Sequence, residues 1–338
     1  MKTWRLFLIF CLFFSSVWAN ERPTVILVLS AKLKPYFQVR DGFRKIYPQT
    51  QEFILPEDAS LARHSLKRDN LLVVAIGSRA LSFLDQLPEN FKLFYTLVVS
   101  PEIALSLAPK HQPICGIYLQ LPPEITFPLV KEHLSHLFAG KESLTIAIPF
   151  STPEGKKFVE EARPVAQKLR LQIMELPVTP EKPFKDILKK SWEKFDIFYF
   201  IPDPVFSSEA IIKFFIKQAL FHHKAVCGYN RFFYEQGAVL AFVIDYFQTG
   251  EKTAWLVIKN LKGESCQPEI AAFNLLINQK VLKFLQESNL GDFQSQNSSR
   301  SLLVRNFKKK RTLSTRYSRQ GCVSIFPAEK WKRIPMNP

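Results

Sequence analysis

At 338 residues and 47% hydrophobic content, the chain is too apolar to be mostly disordered and long enough for two domains. Its formal charge of +16 would suggest a nucleic-acid partner, but that charge is not spread over the body. Residues 293–338 hold eleven Lys or Arg against one acid, Glu329, while residues 20–292 set 33 basic against 29 acidic residues, so no specific nucleic-acid partner is expected.

In chain order, "MKTWRLFLIFCLFFSSVWA" opens with a short basic start, an apolar run from Leu6 to Phe14, and small residues before Ala19. About nine apolar residues fall short of the roughly 20 that span a bilayer. Residues 1–19 therefore read as a secretory signal peptide cleaved after Ala19, with an uncleaved anchor as the alternative, and the mature chain is expected in the periplasm or otherwise exported.

Apolar runs of strand length then alternate with helix-period segments. Val25–Leu29 precedes a helical pattern ending near Tyr47; Leu71–Ile76 precedes Ser78–Leu84; Phe94–Val99 precedes Glu102–Leu107. After "LQLPPEITFP" come a helix over Phe127–Phe138, a strand over Leu144–Ile148, and a helix carrying Phe158, Ala162, Val165, Ala166 and Leu169 on one face. Leu171–Leu176, a helix around Phe184–Phe195, Ile197–Ile201 and a Ser207–Phe221 helix follow. Continuous apolar strands separated by helices imply parallel sheets covered on both faces. The fold expected is α/β, with two Rossmann-like lobes. Lobe one spans 20–122, completed by about 246–268; lobe two spans 123–245, completed by about 269–290. The tail, 293–338, loses the apolar rhythm and reads as a flexible basic appendage able to touch a membrane surface.

Catalytic signatures are absent: the sequence has no GxSxG, HExxH, GxxxxGK[ST] or GxGxxG after the first strand. His133 and His136 are spaced for one helix face and read as solvated rather than metal-binding; His222 and His223 suit the negative end of a helix. Neither enzyme activity, nor a metal, nor a cofactor is expected. Cys115, Cys227, Cys266 and Cys322 have no CxxC spacing and read as small buried hydrophobes, a disulfide remaining open with its pairing undetermined.

Further along, Gly237-Ala238, Asp245-Tyr246, Gly250, the turn Lys262-Gly263-Glu264 and "FNLLIN" ending at Asn278 follow one another in a set order. Upstream stand "VVAIGSRA" at 73–80, "CGIYLQLPPEITFPLVKEHL" and "TIAIPFSTPEGKKFVEEA". In this order the chain resembles the ABC-transporter substrate-binding protein family with the type I periplasmic-binding-protein fold, over roughly residues 24–290. The resemblance is to a branch associated with aromatic amino acids or related small solutes. It departs in the loop "SAKLKPYFQVRDGF", in Ser78 where the family has Thr, and in the basic tail.

The resemblance implies two lobes joined by a hinge that close over a small solute in the cleft, without chemistry, and delivery to an ABC permease. A ligand-sensing module feeding a membrane sensor protein is the alternative. Contacts are expected at the C-terminal ends of strands, where helix N-termini aim N–H groups outward. The candidates are Ser30, Gly77, Ser78 and Ser100 in lobe one, and Ser151, Thr152, Asp203 and Asn230 in lobe two. Helix capping is an equal alternative for the serines and Thr152. Ser78 is expected to cap its own helix. Asp203, between two prolines, is expected to accept from a ligand's ammonium or amide, with Ser207 or Ser208 capping the next helix in its place; a cap for that helix or a turn-forming Asx residue is the alternative for Asp203. Tyr229, Phe232, Phe233 and Tyr234 are candidates for a stacking wall.

Overall fold

The structure, a computed structural model, describes residues 23–68, 71–88, 91–111, 114–138, 141–179, 184–189, 191–288 and 322–324. The expected signal peptide, 1–19, and all of the basic tail except 322–324 lie outside these residues. The chain divides into two units, 1–119 with 246–269 and 120–245 with 270–338, and passes between them three times.

The first unit begins with β1 (Val25–Leu29), α1 (Lys34–Ile46), β2 (Thr50–Ile54), α2 (Ala59–Ser65), β3 (Leu72–Ile76), α3 (Ser78–Asp85), β4 (Lys92–Val98), α4 (Pro101–Leu107) and β5 (Cys115–Tyr118). β1 ("VILVL") and β3 ("LVVAI") are buried at every residue, as strands with helices over both faces must be. They pair in parallel, Val25 level with Leu72, while β2 lies parallel on the other side of β1. β2 ("TQEFI") was not legible because only Phe53 is buried in it. β4 and β5 extend the parallel set, with a register shift between Thr96 and Val98 where Leu97 takes a left-handed backbone (φ 57°).

The chain then enters the second unit with α5 (Pro123–Leu134), β6 (Leu144–Phe150), α6 (Pro153–Lys168), β7 (Leu171–Pro177), α7 (Phe184–Lys189), β8 (Ile197–Tyr199), α8 (Glu209–Phe221), β9 (Ala225–Gly228), α9 (Arg231–Gln236) and β10 (Leu240–Ile244). It returns to the first unit for α10 (Tyr246–Leu261) and β11 (Glu269–Ile270). β12 (Phe273–Ile277), helix α11 (279–288) and β13 (Cys322–Ser324) belong to the second unit.

Two separate sheets result, with strand orders β11-β5-β4-β3-β1-β2 and β13-β12-β10-β9-β8-β6-β7. The expected architecture of two helix-flanked, largely parallel sheets is the one observed; β12 runs antiparallel to both β10 and β13. The flexible-tail reading needs correction at Cys322–Ser324, which is a strand paired to β12 with Leu276 level with Cys322. In the second unit Phe127, Phe158 and Tyr199 pack on one face of the sheet, and Phe198, Phe200 and Phe233 on the other.

Two features tie the returning segment to the first unit. Gly42 of α1 and Gly250 of α10 let the two helix backbones touch: a Cβ on Gly42 would stand 1.9 Å from the Phe247 carbonyl oxygen, and one on Gly250 2.0 Å from that of Val39. A disulfide joins Cys115 of β5 to Cys266, beyond α10, with Cα atoms 5.9 Å apart. The reading of Cys115 and Cys266 as buried thiols is therefore corrected; Cys227 is the buried free thiol among the described residues. Glu269 of β11 adds ion pairs to Lys252 (3.4 Å) and Lys259 (3.7 Å) of α10.

Candidate functional site

Each unit carries polar residues at the C-terminal ends of its parallel strands. In the first unit Ser30 ends β1 and is buried; its Oγ accepts the Ala80 N–H of α3 at 2.8 Å. The cap of α3 thus comes from 50 residues upstream, across the sheet. That corrects the expectation for Ser78, which is the first residue of α3, half-buried, while Gly77 holds the N-cap position without a side chain. Gly77 has φ +95°, a conformation that favours glycine, and a Cβ there would meet Ser30 Oγ at 2.6 Å and the Tyr36 hydroxyl at 3.1 Å. Its N–H donates to the Thr96 carbonyl at 2.8 Å. Ser30, Gly77, Ser78 and Tyr36 therefore form one cluster. Ser100 caps α4, accepting from the Ile103 N–H at 3.3 Å.

Tyr36 was missed, since a tyrosine in the first turn of α1 carries no signal of its own. Tyr246, first residue of α10, belongs with it. Burial, and then the nearby Tyr36 hydroxyl, push the Tyr246 pKa above the ordinary phenol value, so the Tyr246 hydroxyl stays protonated and able to donate.

In the second unit the structure brings Ser151, Thr152 and Asp203 together. The buried Asp203 carboxylate receives four donors. Oδ1 accepts from Ser151 Oγ (2.5 Å) and the Val205 N–H (3.0 Å), and Oδ2 from the Ser151 N–H (2.9 Å) and Thr152 Oγ1 (3.2 Å). Two donors per oxygen leave little acceptor capacity for a ligand. The expectation for Asp203 is corrected accordingly: it is a brace that fixes the Ser151–Thr152 turn and caps the 3₁₀ turn Pro204–Phe206. Ser208 stands at the N-cap of α8 without a side-chain cap, so the serines do not relieve Asp203 of that role. Thr152 in turn caps α6, accepting from the Gly155 N–H at 3.1 Å.

Asn230 caps α9, accepting from the Phe233 N–H at 3.4 Å. Of the proposed aromatic wall, Phe233 is core, fully buried between Phe200 (4.8 Å) and Tyr229 (4.7 Å). Tyr229 lies close to Asp203; burial first, then that carboxylate, raise its pKa. Tyr229, Phe232 and Tyr234 are partly exposed.

Residues 127–288, most of the second unit, match the family model for ABC transporter substrate binding proteins. Solved substrate-binding proteins share this chain's fold across both units. A ligand-free, open substrate-binding protein with adhesive properties from Clostridium difficile aligns at 17% identity and a TM-score of 0.60, covering 78% of this chain and 95% of that one. The ABC domain in complex with L-Trp from Streptococcus pneumonia aligns at 16% identity and TM-score 0.52, covering 80% and 98%. A conserved domain protein from Vibrio cholerae aligns at 19% and 0.50, covering 80% and 97%. These likenesses show the type I periplasmic-binding fold. No curated protein matches the sequence.

The molecule has two sets of polar strand-tip groups, one in each unit. The first unit offers hydroxyls from Tyr36, Ser78 and Tyr246 and the first-turn N–H groups of α3, around a glycine that lets backbone come close. The second offers the Ser151–Thr152 turn, held rigid by Asp203, and the side chain of Tyr229.

Proposed function

We propose that the protein is an exported solute carrier that captures a small molecule, an amino acid or a related solute, and delivers it to an ABC-type permease. The match of residues 127–288 to the substrate-binding family carries this reading. The apolar, basic-flanked start and the Cys115–Cys266 disulfide support export, because disulfides persist in oxidising compartments. The pneumococcal neighbour described with L-Trp supports the amino-acid part. Binding proceeds without covalent chemistry: the strand-tip groups are hydroxyls and N–H donors suited to gripping a ligand.

Because Asp203 is already satisfied, recognition leans on donors. Carboxylate or carbonyl oxygens of the solute would meet the first-turn N–H groups of α3, and an apolar or aromatic part would meet Tyr229. The test is a thermal-shift panel on the purified protein with amino acids, other carboxylates, nucleosides and sugars. A ligand that binds only the native form raises the melting temperature by mass action, by about 2.7 kcal/mol of stability at a hundredfold excess over Kd. A panel with no shift would remove the solute-carrier reading. Ligand sensing for a membrane-linked signalling protein is a second reading, favoured by the basic tail; transport by a reconstituted permease separates the two.

A further inference from the structure

We propose that the second unit docks peripherally on an anionic lipid surface through the outer face of α8. This helix, "EAIIKFFIKQALF", is apolar on two sides. Ile212, Phe215, Ile216 and Ala219 are buried against the sheet. On the other side Ile211, Phe214 and Phe221 are 41%, 44% and 76% exposed. At about 100° per residue these three fall within about 80° of the helix circumference, an arc they share with the half-buried Gln218. Phe284 of α11 is exposed too, its ring 6.1 Å from His223, so it continues the apolar surface past the end of α8.

The flanks of this surface decide what covers it. Lys217 is exposed beside the apolar residues, and Lys213 lies one turn earlier, 3.4 Å from Glu209 and over the Phe232 ring. A second copy fits poorly: a two-fold antiparallel pairing that sets Ile211 against Phe221 centres near residue 216 and brings the two Lys217 ammonium groups together. A surface of opposite charge fits well. The sequence after residue 292 adds eleven Lys or Arg against Glu329, and β13 ties that segment into the sheet of this same unit. Exposed Phe and Ile side chains edged by lysines, with a cationic segment in the sequence of the same unit, are the two signals that peripheral membrane binding needs, since either alone is weak.

The experiment is flotation of the purified exported protein with vesicles of phosphatidylcholine alone and of phosphatidylcholine mixed with phosphatidylglycerol. Binding to the mixed vesicles only, released by salt, is expected. The Phe214→Ser/Phe221→Ser variant should lose at least about tenfold in partitioning, because two side chains no longer leave water. Lys217→Glu, a second variant at an exposed position, should weaken binding several-fold. Urea midpoints for both variants should match the wild type. No flotation with anionic vesicles, equal flotation of the phenylalanine variant, or a dimer that this variant dissociates would each overturn the proposal.

Discussion

Replacing Gly42 by alanine sets two physical effects of opposite sign against each other. Gly42 lies inside α1, where helix propensity alone would favour alanine by about 1 kcal/mol. The new Cβ, however, would sit 1.9 Å from the Phe247 carbonyl oxygen, 2.9 Å from its carbonyl carbon and 3.2 Å from the Glu251 nitrogen. All three are backbone atoms, so no rotamer change relieves the clash. Reaching an ordinary contact requires α1 and α10 to separate by about 1.5 Å, which empties the interface around Val39 and Phe43. Overpacking of this kind costs about 3 kcal/mol, leaving a net loss of about 2 kcal/mol after the propensity gain. At roughly 2–4 °C per kcal/mol for a chain of this size, the melting temperature should fall by about 4–8 °C, with a matching drop in the urea midpoint. Gly250→Ala should behave alike, and the double variant should lose less than the sum, because the first substitution has already opened the gap. A Gly42→Ala protein as stable as the wild type, or more so, would refute the reasoning.

Two other outcomes follow from the structure. Asp203→Asn should destabilise the protein by about 2 kcal/mol in urea melts, since an amide puts a donor where Ser151 or Thr152 already donates; solute affinity should fall with it, read by calorimetry. His111, stacked on Phe91 at 4.6 Å, has its pKa lowered by burial against the opposing pull of Asp85, with Lys110 also beside it. The unfolded chain therefore takes up the proton first: the contribution of this group is intact above about pH 6.5 and is lost as pH falls through that value toward the folded pKa. His111→Phe should flatten that part of the stability profile between about pH 7.5 and pH 5.5, whereas an unchanged slope would exclude His111 as its source.

The central strands were legible because they are buried on both faces: Val25–Leu29 and Leu72–Ile76 stand out as unbroken apolar runs. β2 was not, because an edge strand with one buried residue has no apolar period to display. Polar strand-tip residues could be placed at the right edges, yet their partners could not. Ser30 meets Ala80 and Asp203 meets Ser151 across sequence separations of 50 and 52, and a local reading assigns each residue to its own helix cap. The same limit hid the pairing of Cys115 with Cys266, set by the course of α10 rather than by spacing. The close approach of Gly42 and Gly250 is likewise set by the crossing of α1 and α10, which neither local sequence displays.

The sulfur bridge has a topological effect as well. Residues 115–266 form a closed covalent ring that holds residues 120–245 of the second unit, leaving its last segment, 270–338, outside. A protease that cuts one bond anywhere in that ring releases no fragment; the pieces part only when a thiol reductant opens the bridge. The protein thus carries its second unit as a loop fastened at both ends, and damage within it stays attached to the molecule.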